Sequence, residues 1–163
     1  MNWLRRLFLG DAPRSLTISE IERPGERVEL RGVVEALDVI LNPLDSSEAV
    51  MLRYHAQIIA RADPQLGHLD RAAHVVHSQG VSFLLRDPSG VARVQVEAGE
   101  DLVAIHGDLL ARYGPGIELD IFSVVPGDRV IVRGLVQEKI AAGSPHRSAA
   151  WAAVLADVEV EKV

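Results

Sequence analysis

The stretch PGERVELRGVVE at residues 24–35 returns as PGDRVIVRGLVQ at residues 126–137, and seven of the twelve positions are identical. In each copy a Pro-Gly pair precedes a short run that leads to an internal glycine, Gly32 or Gly134. The first copy alternates between polar and apolar residues up to Gly32, and the second has Val130 and Val132 at the matching apolar positions. Alternation with a period of two is typical of a half-buried strand, and an isolated glycine inside a strand marks a bulge or a sharp bend. Each copy is therefore predicted to be a strand that starts at a Pro-Gly turn and bends at its glycine.

The recurrence of this stretch has two explanations that the sequence leaves open. It could come from duplication within the chain, or from convergence on a common turn-strand pattern. Either origin gives a curved strand near each end of the chain, as the closing of a small barrel requires. The sequence therefore predicts a closed sheet that contains two strands of this kind, each with a Pro-Gly turn before it and a bend at its glycine.

Arginines stand at equivalent places in the two copies and are expected to project from the outer face of each strand. They are Arg27, Arg31, Arg129 and Arg133. If the two strands are neighbours, Arg31 and Arg133 become the candidate residues for an anionic ligand. If the arginines pair with Glu26 and Glu29 instead, they are solubilising surface charges.

Residues 81–96, VSFLLRDPSGVARVQV, form the clearest predicted hairpin. Residues 87–90 have the preferences of a type I turn, with aspartate first, proline second and glycine fourth. We expect the Asp87 carboxylate to accept hydrogen bonds from the backbone of the turn, and Asp128 to do the same after Gly127. Both acids are interpreted as turn residues and not as catalysts.

Two registers of this hairpin compete. A three-residue loop with Gly90 as a bulge does not align the apolar side chains, whereas a four-residue loop that pairs Arg86 with Val91 does. The second register is predicted because it builds one continuous apolar face. Its apolar pairs are Val81 with Val96, Phe83 with Val94, and Leu85 with Ala92.

The remaining segments complete a mainly β pattern. Residues 49–60 have strand character, and residues 61–80 are polar and interrupted, so they are predicted to form a loop. Residues 100–113 carry apolar positions at helical spacing, the Gly-Pro-Gly sequence at 114–116 ends this helix, and residues 149–163 are predicted as a last strand. Five or six strands with one or two short helices predict a small OB-like antiparallel barrel.

Composition favours one soluble domain, which we place at residues 14–163. The chain has no cysteine, which excludes disulfides, thiolate nucleophiles and cysteine-bound zinc. A net charge of -6 and an aromatic content of 4% argue against nucleic acid as the main partner. No apolar run reaches the roughly 18 residues of a spanning helix, and no motif indicates a cofactor, so we expect a cytoplasmic, cofactor-free protein.

Residues 1–13 are interpreted as a separate amphipathic segment. Apolar side chains recur there at helical spacing, with arginines on the other side, so the segment is expected to pack on its own domain or to dock on a partner. A membrane contact would involve residues 1–9 alone. The candidate partner-docking residues of this segment are Trp3, Arg5, Arg6 and Phe8.

Histidines are grouped at residues 68–77, HLDRAAHVVH. Three imidazoles and an aspartate could ligate a transition metal, but their spacing matches no zinc signature, so a solvated loop is the prediction. The candidate ligands are His68, His74 and His77. His106 and Asp108, two positions apart on the predicted helix, point in different directions and have no accompanying nucleophile motif, so no catalytic residue is predicted.

Four stretches give the chain a resemblance to the GIDE domain, also called the BAM domain, of membrane-anchored RING-type ubiquitin ligases and their prokaryotic relatives. They are RGVVEAL at residues 31–37, LNPLDSSEAVMLRYHAQI at 41–58, VSFLLRDPSGVARVQV at 81–96 and VVPGDRVIVRGLV at 124–136. The positions that carry the family patterns include Gly32, Phe83, Leu85, Asp87, Gly90, Gly127, Asp128 and Gly134. The resemblance covers about residues 24–140.

This resemblance implies a binding domain and not a ligase. Ligases of the family have transmembrane helices and a zinc-binding RING, and a chain without cysteine cannot form that RING. The expected function is a non-enzymatic, GIDE-like protein-interaction module that docks on a larger assembly or a partner protein. The alternative, which follows from the OB-like fold, is a binder of single-stranded nucleic acid or another polyanion through Arg31 and Arg133.

Overall fold

The structure is a computed structural model that describes residues 12–59, 72–140 and 151–163. The expectations for Trp3, Arg5, Arg6, Phe8 and His68 lie outside the described residues. Short 3₁₀ turns occupy Ile18–Glu20 and Gly114–Gly116. The strands and the α-helix are β1 (Arg14–Ser15), β2 (Arg27–Ala36), β3 (Ile40–Leu41), β4 (Glu48–Ala49), β5 (Met51–Ile59), β6 (Ala72–Gly80), β7 (Phe83–Asp87), β8 (Gly90–Val94), α1 (Leu102–Tyr113), β9 (Ile117–Val124), β10 (Arg129–Lys139) and β11 (Ala153–Lys162).

The chain forms two compact units, each assembled from segments that lie far apart in sequence. The barrel unit contains Met1–Glu35, Phe83–Val96 and Gly127–Val163. The sheet-helix unit contains Ala36–Ser82 and Glu97–Pro126. Whether residues 14–163 behave as one domain stays a prediction.

The barrel unit closes a five-stranded sheet on itself. Its strand order is β2-β10-β11-β8-β7, and β7 also pairs with β2. The pairs β2–β10, β10–β11 and β7–β8 are antiparallel, whereas β8 and β11 run parallel. The short strand β1 adds to the sheet beside β2. The predicted small OB-like barrel is confirmed, although the β8–β11 and β1–β2 pairs are parallel and not antiparallel as expected.

The two copies of the repeated stretch form β2 and β10, and they pair with each other. Leu30 lies directly opposite Val132, which is its own counterpart in the repeat. An antiparallel pair in which a residue faces its counterpart has a local two-fold axis at that point, so equivalent contacts occur on both sides of it. Backbone bonds at the two Pro-Gly turns follow this symmetry: Gly25 N donates to Val136 O and Gly127 N donates to Val34 O, both at 2.8 Å. The two copies are therefore complementary to each other across the β2–β10 pair.

Gly32 lies where β7 approaches β2 most closely. A Cβ atom at this position would lie 2.5 Å from the carbonyl oxygen of Arg86 and 2.9 Å from Cγ of Leu85. A backbone oxygen held in a strand cannot move aside by such an amount, so no side chain fits here. The absence of a Cβ atom at Gly32 therefore allows β2 to pair with β7 and the barrel to close.

Gly134 marks an irregularity in the pairing of β10 with β11. The register shifts between Arg133 and Leu135, which is the bulge that a glycine inside the strand predicts. A Cβ atom at Gly134 would lie 2.8 Å from Cγ1 of Val158. The close neighbour is here a side-chain atom, so this glycine is less tightly enclosed than Gly32.

The β7–β8 hairpin has the predicted four-residue-loop register, in which Arg86 pairs with Val91. The ladder begins at Phe83 and ends at Val94, so the predicted continuation to residues 81 and 96 is wrong. Strand pairing stops there because the backbone bonds elsewhere: the N–H of Val81 donates to Val50 O at 2.9 Å, and the N–H of Gln95 donates to Leu155 O at 2.8 Å. The buried pairs of the hairpin are Phe83 with Val94 and Leu85 with Ala92.

The Asp87 carboxylate holds the turn of this hairpin. One oxygen, Oδ1, accepts hydrogen bonds from the backbone N–H groups of Ser89 at 2.7 Å and Gly90 at 2.9 Å. The other, Oδ2, accepts a bond from the N–H of Ile18 at 2.8 Å. The same side chain therefore closes the turn and fixes the 3₁₀ turn Ile18–Glu20 beside it.

The sheet-helix unit contains a three-stranded antiparallel sheet, with the order β6-β5-β9, and the β3–β4 hairpin. The predicted strand at 49–60 is confirmed as β5, and the predicted helix at 100–113 is confirmed as α1. The helix begins at Asp101, whose carboxylate accepts bonds from the N–H groups of Val103 and Ala104. It ends at Gly114, which has a φ of 55°.

Residues 72–80 form strand β6, so the prediction of a loop over residues 61–80 is wrong for this part. All nine residues of β6 pair with β5. The alanines, histidines and polar residues of this segment have a weak intrinsic preference for strands, but an unbroken ladder to a neighbouring strand overrides that preference. Predicted strand 149–163 is confirmed as β11.

Candidate interaction surface

The β6-β5-β9 sheet has two faces of opposite character, because side chains alternate along each strand. One face is buried together with Leu102 of α1. Its side chains from β5 are Leu52, Tyr54 and Ala56. The alternate side chains of β5 point away from this core.

Tyr54 fixes the contact between the sheet and α1. The residue is fully buried, and its hydroxyl oxygen lies 2.9 Å from Nδ1 of His106. Burial raises the pKa of the Tyr54 hydroxyl above its usual value of 10.0. His106 is thereby joined to the sheet, while Asp108 is exposed on the helix, so the two do not form an acid-base pair.

Nine side chains make up the opposite side of this sheet, which we call the open face. Each cross-strand row contains one residue from β6, one from β5 and one from β9. The rows are His74, Gln57 and Glu118; Val76, His55 and Asp120; and Ser78, Arg53 and Phe122. His55 therefore lies at the centre of the open face.

Two large apolar side chains of the open face are exposed. Val76 is 62% exposed and Phe122 is 38% exposed. Single exposed apolar residues are normal on protein surfaces. Here, however, an aliphatic and an aromatic side chain share one small sheet face with hydrogen-bonding groups, and this combination is typical of surfaces that bind other proteins.

His55 and His74 contact each other on this face. Nδ1 of His74 lies 3.3 Å from Nε2 of His55, and the two ring planes are within 7° of parallel. A bond between two imidazole nitrogens requires one of them to donate a proton and the other to be unprotonated. An open cavity of about 200 Å³ adjoins the pair and is lined by His55, Gln57, Glu118, Leu119 and Asp120.

The charged groups of the open face lack counter-ions in the part of the chain that the structure describes. Arg53, Glu118 and Asp120 form no ion pair with residues 12–59, 72–140 or 151–163. Two carboxylates against one guanidinium make the face acidic when its histidines are neutral. Uncompensated charge of this kind is available to a binding partner.

The histidines that the sequence offers as metal ligands do not come together. His74 and His77 are three positions apart on β6 and so lie on opposite faces of the sheet. His77 bonds to Glu100, on the side of α1. Among the described residues, no group of three or more His, Asp or Glu side chains could hold a metal ion.

Three of the four arginines of the repeated stretch, Arg27, Arg31 and Arg133, lie beside carboxylates, whereas Arg129 forms no ion pair with the described residues. Arg133 donates from Nε to Glu29 at 2.8 Å and from Nη1 to Glu161 at 2.9 Å. These bonds, the one to Glu161 most strongly, raise the pKa of the Arg133 guanidinium. Arg31 lies 3.6 Å from the same Glu29. Further pairs in this unit join Arg27 to Asp157 and Lys162 to Asp128.

Sequence reasoning missed the open face because two of its three strands were not recognised. Val76 lies in the segment predicted as a loop, and no strand is predicted for residues 117–124. A signal for β9 exists in the sequence IELDIFSV, since apolar and acidic residues alternate from Ile117 to Ile121. Phe122 then occupies a position where this alternation predicts a polar residue. An aromatic residue at such a position indicates an exposed aromatic side chain on the strand.

The fold places the chain in the class of proteins that contain a closed five-stranded OB-like barrel and one helix. No protein-family model matches the chain, and no curated protein matches it. Within the described ranges there is no helix with the length and apolar character that crossing a membrane requires.

Proposed function

We propose that this protein is a non-enzymatic, GIDE-like interaction module that binds a partner protein through the open face. The observation that carries the proposal is the joint exposure of Val76 and Phe122 beside uncompensated charges. Apolar area that remains in water favours association, and charged groups without partners select which surface fits. A partner that covers this face would bury both kinds of group at once.

A binding role is also the simpler account of the polar groups. The chain has no cysteine, and its described residues contain no metal-binding group. The histidines of the open face contact each other, and His106 contacts Tyr54. The Tyr54 hydroxyl is fully buried, so a substrate cannot reach it, and the two histidines of the open face are not joined to a hydroxyl nucleophile.

Binding of a polyanion to the barrel is the second candidate, and the ion pairs on the barrel count against it. An anionic ligand would have to displace Glu29 from both Arg31 and Arg133, and Glu161 from Arg133. The affinity of proteins for nucleic acids comes largely from cations that neutralise phosphates. Arginines that already neutralise carboxylates have little of this affinity to offer.

Affinity capture with matched variants tests the proposal. The whole chain, a V76S/F122S variant of the open face, and a V103S/L110S variant of exposed apolar positions on α1 serve as parallel baits. A chain without residues 1–10 separates any contribution of the amphipathic segment. Captured proteins are identified by mass spectrometry, and each candidate is then titrated as a purified protein.

We expect a partner that binds the wild type and the helix variant, and that binds the open-face variant at least about tenfold more weakly, because two apolar contacts are lost. A partner that binds all baits equally would contradict the assignment to the open face. A partner that depends on residues 1–10 alone would move the binding function to that segment.

A further inference from the structure

Strand β9 is an end strand of the sheet that carries the open face, and no other described strand pairs with its outer edge at residues 117–122. The other end strand, β6, differs in this respect. The N–H of Gly80 donates to Ala98 O at 3.1 Å, and the N–H of Glu100 donates to Ser78 O at 3.0 Å. The edge of β6 is therefore partly covered by the following segment, whereas residues 117–122 of β9 present an edge that another strand can extend.

Three apolar side chains lie in a row along this edge. They are Ile117, Leu119 and Ile121, which pack against the buried core on the side of α1 but are themselves only partly buried. An additional strand beside β9 would cover them. Strand Ile117–Val124 contains no proline, no lysine and no irregularity in its register with β5. Its edge protection is limited to the negative charges of Glu118 and Asp120, which do not oppose a basic strand.

We propose, on the basis of the function proposed above, that β9 binds an extended basic segment of a partner protein as a fourth strand of this sheet. Backbone hydrogen bonds along the edge supply affinity, and alternate side chains supply selectivity. On the open face, basic side chains of the ligand pair with Glu118 and Asp120, and an apolar one lies beside Phe122. On the other face, apolar side chains of the ligand cover the row at residues 117, 119 and 121.

Charge decides between a foreign segment and a second copy of this chain. In an antiparallel pair of β9 with itself, residues on the same face must lie opposite each other. Two such registers place Glu118 opposite Asp120, or Asp120 opposite its own copy. A register with Asp120 opposite Phe122 avoids direct opposition, but it still gathers the four carboxylates of the two copies on one face with no cation from either strand among them. Like charges at directly opposed positions are destabilising, so the strand resists pairing with itself and favours a basic ligand.

The test uses a fluorescent ten-residue peptide, GSVVKVKISG, titrated with the whole chain and followed by fluorescence polarisation. In antiparallel register its two lysines lie opposite Asp120 and Glu118. The first control peptide, GSVVEVEISG, reverses the charge. The second keeps the lysines but carries N-methyl groups on alternate backbone nitrogens, which removes the donors on one edge of the peptide.

Two protein variants complete the design. In E118K/D120K, both exposed acids of β9 are reversed, and in the matched control E48K/D108K two exposed acids elsewhere in the sheet-helix unit are reversed. Circular dichroism and thermal unfolding verify that both variants fold. Because all four positions are exposed, we expect unchanged spectra.

We expect the lysine peptide to bind the wild type and the E48K/D108K control, and to bind E118K/D120K roughly tenfold more weakly, because two opposite-charge pairs become like-charge pairs. The glutamate peptide should show the reverse preference. The N-methylated peptide should not bind, and hydrogen exchange of the amides at residues 117–122 should slow when the lysine peptide is bound.

Three outcomes would overturn the inference: no binding of the lysine peptide, equal binding of the N-methylated peptide, or a preference that does not reverse in E118K/D120K. Concentration-dependent dimers of the wild type that E118K/D120K abolishes would assign the edge to a second copy and would also overturn it. If a captured partner depends on Val76 and Phe122 while the peptide does not bind, the proposed function stands and the strand addition falls.

Discussion

The barrel unit and the sheet-helix unit each present a polar sheet surface, and they differ in how the charges on it are compensated. On the outside of β2 and β10, Arg133 bonds to two carboxylates and Arg31 shares one of them. On the open face, Arg53 has no ion pair among the described residues, and two apolar side chains are exposed beside it. Most charges of the first surface are paired within the barrel unit, with Arg129 as the exception among the arginines of the repeated stretch, whereas the second surface has charged and apolar groups that are available to another molecule.

This difference separates surfaces that stabilise a fold from surfaces that bind. Changes to the paired surface or to the strands beneath it should lower the free energy of unfolding. Changes to the open face should leave stability almost intact and lower affinity for a partner. Each prediction below tests one side of this contrast.

Replacement of Gly32 by alanine should have the largest effect, because it breaks the closure on which the paired surface depends. The new Cβ atom would lie 2.5 Å from the Arg86 carbonyl oxygen, so β2 and β7 must separate. We expect a loss of about 3 kcal/mol in the free energy of unfolding, measured by urea denaturation.

The matched control for this substitution is Gly107→Ala on α1. Within the described ranges, and apart from the backbone of the helix itself and the adjoining residues, no atom lies within 4 Å of the place that the new Cβ atom would take. The substitution should raise stability by roughly 0.5 to 1 kcal/mol, because alanine favours a helix over glycine. Equal effects of the two substitutions would show that close approach at Gly32 does not limit the barrel.

Tyr54→Phe should have the next largest effect on the free energy of unfolding. It tests the buried face of the sheet, which lies opposite the open face. Loss of the hydroxyl leaves Nδ1 of His106 without its 2.9 Å partner, at a cost of about 1 kcal/mol at neutral pH. The raised pKa of Tyr54 means that the folded state holds this proton more tightly, so its contribution to stability is complete below the usual value of 10.0 and falls as pH rises above it.

Unfolding curves recorded from pH 7 to about pH 11 should therefore show a steeper decline for the wild type than for Tyr54→Phe. A Tyr113→Phe variant, which changes an exposed tyrosine at the end of α1, should decline as the wild type does. Parallel declines of Tyr54→Phe and the wild type would contradict the role of burial at Tyr54.

The substitutions Arg133→Gln and Arg53→Gln compare an ion-paired arginine of the barrel with an arginine of the open face. Arg133→Gln removes two charged hydrogen bonds and should lower the free energy of unfolding by about 0.5 to 1 kcal/mol at low salt, with a smaller effect at high salt. Arg53→Gln should change it by less than about 0.5 kcal/mol, because no ion pair with the described residues is lost. Equal and salt-independent effects would mean that the ion pairs on the barrel do not stabilise it.

Titration with nucleic acid should give the smallest change of any of these measurements. Single-stranded DNA and RNA oligonucleotides, titrated by fluorescence polarisation at ~50 mM salt, should show no binding, since electrostatic affinity is greatest at low salt and would be seen there. Binding that weakens with salt and is lost in an R31Q/R133Q variant would reverse the ranking of the two candidate functions.

The barrel could be predicted from the sequence because its signals are local. The Pro-Gly turns, the alternation before Gly32 and Gly134, and the turn at residues 87–90 each determine a few neighbouring residues, and closure follows from them. The pairing of the two repeats with each other was not visible in advance, because it depends on which strands become neighbours.

The open face could not be predicted because its strands depend on context. Residues 72–80 become a strand through their ladder with β5 and not through their own preference. The contact of His55 with His74 requires that ladder to be known, since the two residues are far apart in sequence. By contrast, the ion-pairing option for Arg31 and Arg133 was open from the sequence, and the structure shows both arginines beside Glu29.

The self-complementary pairing of the repeated stretch provides an internal replicate for experiments. Val28 and Val130 occupy equivalent positions of β2 and β10, and both are fully or almost fully buried. The same truncation made at each position therefore shares residue type, strand geometry and hydrogen-bond pattern. Any difference between the two measurements reports the surroundings of the strand and nothing about the residue itself.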